Sequence, residues 1–131
     1  MSKYNIRECI HIFMYDDYPE DFEDNYEQLM QDILIKMNNT SKLSEDEYVF
    51  LIFCFHEKVS SWGEMCDEKD DMPLGDCDYS DFLVKFTLRM VKIESFIFTD
   101  YKREELPKYL SDMIKIYRDA KAWMLTRGYK V

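Results

Sequence analysis

The chain has 131 residues, a formal net charge of −10, 47% hydrophobic and 16% aromatic residues. That length fits one domain with its own core, since domains cluster at about 100–150 residues and bury roughly two-thirds of the unfolded surface at this size. The apolar content excludes intrinsic disorder despite 34% charged residues, and the acidic balance argues against direct nucleic-acid binding.

Three Gly and three Pro are few for a chain of many tight turns, so the composition leans to long helices. Met1 to Ile10 lacks the apolar run of about 7–15 residues and the small-residue cleavage site of a secretory signal. The densest apolar run, Tyr48 to Phe55, is far shorter than the roughly 20 residues of a membrane helix. The expectation is a cytoplasmic protein with no membrane partner, in which Cys9, Cys54, Cys66 and Cys77 stay reduced. A Cys66–Cys77 bridge would close a short loop and belongs only to an oxidising compartment.

In chain order, Ile6 to Tyr15 reads two ways. Ile6, Cys9, Ile10, Phe13 and Met14 fit a short helix, whereas Ile10, Ile12 and Met14 fit an alternating strand. Phe22, Tyr26, Leu29, Met30, Ile33 and Met37 recur every three or four residues. They predict a helix from near Pro19 to Asn38 and Asn39, with Pro19 in its first turn. The strongest local signal follows, Leu43-Ser44-Glu45-Asp46-Glu47-Tyr48. Ser44 caps by accepting from the Glu47 N–H, Glu47 returns to the Ser44 N–H, and Leu43 and Tyr48 take the staple positions.

This predicted helix runs from Glu45 to about Glu64, and its first half is apolar on every face, hence surrounded. Met65 to Tyr79, acid-rich and broken by Pro73 and Gly75, reads as an exposed loop. Asp78 or Ser80 then caps a helix from about Asp81 to Phe98, with Phe82, Phe86, Met90, Ile93 and Ile97 on one face. The last helix carries Leu106, Leu110, Met113, Ile114, Tyr117, Ala120 and Met124, starts at Asp100 or Pro107, and stops at Gly128. The predicted fold is all-α, a single domain over residues 1–131, packed as a four- to five-helix bundle.

Motifs for chemistry are missing. His11 and His56 are the only histidines, neither at zinc-ligand spacing from a cysteine. His56-Glu57 opens like a zinc-protease motif, but the fifth position is Ser60. No register of the Asp67–Asp81 segment supplies the acids, Gly and Glu of a calcium-binding EF-hand loop. There is no nucleophile elbow and no phosphate-binding loop. The expectation is no enzyme, no metal and no cofactor, with His56 a partly buried structural residue.

The charge is unevenly spread. Residues 16–81 hold 20 acids and four lysines, a balance of −16, whereas residues 82–131 hold 11 bases and six acids, a balance of +5. One acidic cluster runs from Asp16 to Glu27 with Tyr15, Tyr18 and Tyr26 in or beside it. The other runs from Glu64 to Asp81, bordered by Trp62 and Tyr79. Some of these acids are solvated or pair with the basic C-terminal helices. Charge this dense also repels itself, so a cationic partner relieves the repulsion and is steered in by it. Aromatics among the acids add the contact area typical of binding hot spots. The expected partner-contact residues are Asp16, Asp17, Tyr18, Glu20, Asp21, Glu23, Asp24 and Tyr26, with Asp67, Glu68, Asp70, Asp71, Asp76, Asp78 and Tyr79.

These features predict a cytosolic immunity protein or antitoxin that neutralises a basic toxin, foremost a nuclease, by covering the positive surface its substrate needs. In general character the chain resembles the small acidic helical immunity proteins of bacterial toxin systems, a likeness of class without an aligned motif. Two other readings predict different surfaces. A phage or viral inhibitor that mimics nucleic acid needs carboxylates spaced like phosphates, and a helical adaptor needs an exposed apolar groove for an amphipathic peptide.

Overall fold

The computed structural model describes residues 4–15, 18–40, 42–69, 78–97 and 102–131, and 86% of them are helical, with no strand. The ambiguous first segment is a helix, α1 (Ile6–Tyr15). Asn5 decides it: its Oδ1 accepts the Glu8 N–H at 2.8 Å, and the Glu8 carboxylate accepts the Asn5 N–H at 3.2 Å. This is a reciprocal cap that a strand could not use.

The second helix, α2 (Phe22–Thr40), starts three residues after Pro19, because the Pro19 carbonyl first accepts the Phe22 N–H at 3.0 Å in a tight turn. The third, α3 (Glu45–Lys69), opens on the expected capping box, with Glu47 N–H to Ser44 Oγ at 3.2 Å and Ser44 N–H to Glu47 Oε1 at 2.8 Å. It also runs further than expected. Met65 to Lys69 are helical rather than loop, because Val59, Trp62 and fully buried Cys66 continue the core-facing stripe and no breaker precedes Pro73.

Beyond the undescribed residues 70–77, α4 (Asp78–Phe82), a π-helical turn (Leu83–Thr87) and α5 (Leu88–Ile97) form one uninterrupted rod. Asp78 and Ser80 lie inside that helix, so neither is its cap. The expected start at Asp100 lies outside the described residues. A 3-10 turn (Arg103–Glu105) leads into α6 (Leu106–Thr126), with Pro107 in its first turn. Gly128, at φ +85°, ends α6: the Tyr129 N–H reaches the Met124 carbonyl at 3.0 Å and the Gly128 N–H the Leu125 carbonyl at 3.1 Å. Both are the bonds of a left-handed helix stop that glycine adopts without strain.

The five rods share one hydrophobic cluster built around α3, whose Phe50, Leu51, Ile52 and Cys54 are wholly excluded from solvent. α3 packs on α1, α2, α4 and the π turn, and most extensively on α6. Phe13 of α1 sits where three helices meet, edge-on to Phe22 and Tyr26 of α2 and stacked on Phe53 of α3 at 5.5 Å. No helix among the described residues is long and apolar enough to cross a membrane.

Candidate functional site

The first acidic cluster gathers at the start of α2. Glu20 and Asp21 lie in the turn before it, and Glu23 and Asp24 in its first turn, at the positive end of its dipole. All four are exposed. The exposed Tyr18 packs on Phe13 and Phe22 and donates its hydroxyl to Glu57 at 3.0 Å. Tyr26 is not a surface contact: it is 4% exposed, wedged against Phe13 and Phe22. Burial, with Glu23 adding to it, pushes its phenol above the ordinary value of 10, so it stays a neutral core residue.

Asp67 and Glu68 are exposed in the last turn of α3, at the negative end of its dipole, where no favourable interaction holds them. They lie about 15 Å along the helix axis from Glu57, so the fold keeps them apart from the first cluster. Tyr79 is half-buried against the core. Asp16, Asp17, Asp70, Asp71, Asp76 and the Asp78 side chain lie outside the described residues.

The basic C-terminal region takes up part of the acidic charge. Arg103 faces Glu45, Arg127 binds Asp81 at 3.1 Å and Lys85 lies 3.8 Å from the same Asp81 carboxylate, whereas Arg89 binds Asp119 within the basic region itself at 3.1 Å. Glu20, Glu23, Asp24, Asp67 and Glu68 make no ion pair among the described residues.

A concavity among the described residues lies elsewhere, at a place the sequence does not mark. α2 and α6 both pack on α3 but scarcely touch each other. Between them runs a groove, seen as three successive hollows of about 520, 440 and 400 Å³. Met37, Ile114 and Arg118 are common to the first two, and Lys58 and Tyr117 to the last two, so the hollows adjoin one another. From Glu23 to Asn38 on the α2 wall the groove is about 22 Å long, at 1.5 Å per residue.

Apolar side chains predominate in the first hollow, share the second with polar ones and give way to them in the third. Met30, Leu34 and Met37 come from α2, Tyr48, Phe55 and Trp62 from α3, and Leu110, Ile114 and Tyr117 from α6. Tyr117 stacks on Trp62 at 5.2 Å and meets Phe55 edge-on at 4.9 Å, which holds the middle of the groove rigid. The rims differ in charge. The α2 rim carries Glu23 and Glu27, Glu27 being paired with Lys58, whereas the α6 rim carries Lys115, Arg118 and Lys121 and, among the described residues, the single acid Asp119.

The chain matches no protein-family model, no curated protein and no solved structure.

One trio has the order of a hydroxyl–imidazole–carboxylate relay. Ser60 Oγ lies 3.5 Å from His56 Nδ1, and His56 Nε2 lies 2.5 Å from Glu94 Oε1. Its setting does not suit acyl transfer. Ser60 is one turn from His56 within α3, where the backbone N–H groups are spent on helix bonds and none is left as an oxyanion donor. None of the three lines the groove. The pair ties α3 to α5, the structural role expected of His56. Among the described residues no three His, Cys, Asp or Glu side chains are placed to hold a metal ion.

Proposed function

We propose that the chain is a non-catalytic binding protein of the cytoplasm that captures a helical segment of a partner protein in the α2–α6 groove. One observation carries the reading: two helices are spread over a third so that a row of adjoining hollows opens between them, its first hollow lined mostly by apolar side chains. The row has the length of about four helical turns, and helix-in-groove recognition reads apolar side chains at that spacing. Leu34, Met37, Tyr48 and Ile114 are half-buried, so they retain apolar surface that an occupant would remove from water. Blocking of a partner's active surface, as by an inhibitor, follows naturally from such capture.

The test is selection from a library of helical peptides, followed by fluorescence anisotropy on the winners. Leu34→Glu and Ile114→Glu should each weaken binding by about 30-fold or more, the cost of losing a buried hot-spot contact. Circular dichroism should stay that of the parent. Unchanged affinity in both variants would sink the groove as the binding site.

A second reading is favoured by the exposed acids that make no ion pair. Glu20, Glu23 and Asp24, with Asp67 and Glu68, would then engage a basic toxin or nuclease directly and neutralise it. Under that reading Glu20→Lys, Glu23→Lys and Asp24→Lys together abolish capture and salt weakens it, while Ile114→Glu has no effect.

A further inference from the structure

The basic charge of the C-terminal region is not used up inside the protein. On the π turn and α5, Val84, Leu88 and Val91 are 67%, 62% and 49% exposed, and Leu88 and Val91, three apart in α5, share a face. Lys85, Arg89 and Lys92 follow each of them by one residue, so basic side chains lie beside the apolar ones, Lys85 facing Asp81 at 3.8 Å. Arg89 and Lys92 then enter a cleft of about 300 Å³ between α5 and α6. Lys108 and Lys115 complete its rim around Tyr109, and among the described residues Asp112 is the one acid lining it. Arg89 is held by Asp119 at 3.1 Å, but Lys92, Lys108 and Lys115 make no ion pair among the described residues.

We propose that this face docks an acidic amphipathic helix of a partner protein. Its apolar residues would lie on Val84, Leu88 and Val91, and its carboxylates would meet Arg89, Lys92, Lys108 and Lys115. Charge complementarity selects this occupant. A second copy of the chain laid antiparallel would set lysines against lysines. An anionic membrane would meet a chain of net charge −10 through two valines and a leucine, with no aromatic anchor among them. The face is separate from the α2–α6 groove, sharing only Lys115 with it. It does not depend on that groove being occupied.

The probe is a synthetic helical peptide with leucines at positions i, i+4 and i+7 and glutamates one position after each. Its binding to the full chain is followed by fluorescence anisotropy and by amide chemical-shift mapping. Binding should weaken as salt is raised, with shifts centred on residues 84–92 and 108–116. Leu88→Ser, and separately Lys92→Glu with Lys108→Glu, should each lower affinity by about tenfold. These side chains are exposed, so the variants keep the fold. Three results overturn the proposal: no binding, equal binding of a peptide with lysines in place of the glutamates, or shifts confined to the α2–α6 groove. Binding to phosphatidylglycerol vesicles without binding to the peptide would likewise overturn it in favour of a membrane surface.

Discussion

Lys36 of α2 donates to both carboxylate oxygens of Glu47, at 2.9 and 3.1 Å, while Glu47 Oε1 also accepts the Ser44 N–H at 2.8 Å. One side chain therefore caps α3 and holds α2 against it. Burial alone would raise the Glu47 carboxyl, but the Ser44 amide, the Lys36 ammonium and the Ser44 hydroxyl outweigh it and lower it below 4.5. A carboxyl lowered on folding stabilises the protein above its ordinary value, and that stability is lost as pH falls through the lowered one. Glu47→Gln should cost about 1–2 kcal/mol at neutral pH, a figure held down by the half-exposed Lys36. Urea unfolding at pH 7 and pH 3 checks it: the gap between parent and variant should narrow at pH 3.

Gly63 lies inside α3, where a residue with a side chain would normally favour the helix. A Cβ added there would meet Cε1 of the fully buried Phe82 at 3.2 Å, tighter than ordinary contact. Gly63→Ala should therefore destabilise the protein by about 1 kcal/mol despite the gain in helix propensity. In a double-mutant cycle with Phe82→Leu, denaturant midpoints should reveal a favourable coupling, since the smaller side chain makes room.

Cys9 and Cys54 are wholly buried between α1 and α3. Burial, with the Glu8 charge adding to it, pushes the Cys9 thiol up to about 11, and burial raises Cys54 well above 9.0. Since the thiolate is the reactive form, neither should be alkylated by iodoacetamide in the native protein at pH 8, and both should react in urea. Peptide mapping by mass spectrometry reads the result. Rapid native labelling at either would contradict their burial.

The Asn5 cap makes a local prediction. Asn5→Ala should cost about 1 kcal/mol and should raise amide exchange in α1 far more than in α3. Hydrogen–deuterium exchange resolved by peptide distinguishes this from a uniform loss of stability.

The readable parts of the fold were those whose chemistry is local. The Ser44–Glu47 box stated the start of α3 outright, and the run from Tyr48 to Phe55 announced a helix covered on all sides. Asn5 and Glu8, three residues apart, state the start of α1 as clearly, with asparagine as the cap in place of serine. The acids around Met65 resemble a loop in charge, but the spacing from Val59 through Trp62 to Cys66 is helical, and the buried stripe decides the structure. Tyr26 shows the same tension: its acidic neighbours pointed outward, while its place in the stripe from Phe22 to Met37 pointed inward, and packing won. The π turn has no signature in this sequence. The groove was legible only as a general alternative, because it is a space between helices far apart in the chain. Its walls are set by how widely α2 and α6 straddle α3.

That α3 packs most extensively on α6 also bears on how the protein is made. The chain leaves the ribosome from its N-terminus, so the helix holding Phe50, Leu51 and Ile52 emerges well before Leu106–Thr126 can cover it. For that interval the nascent chain offers the surroundings an apolar segment, unsheathed on one side. The hazardous moment in the life of this protein is thus its synthesis, when a holding chaperone has most to shield.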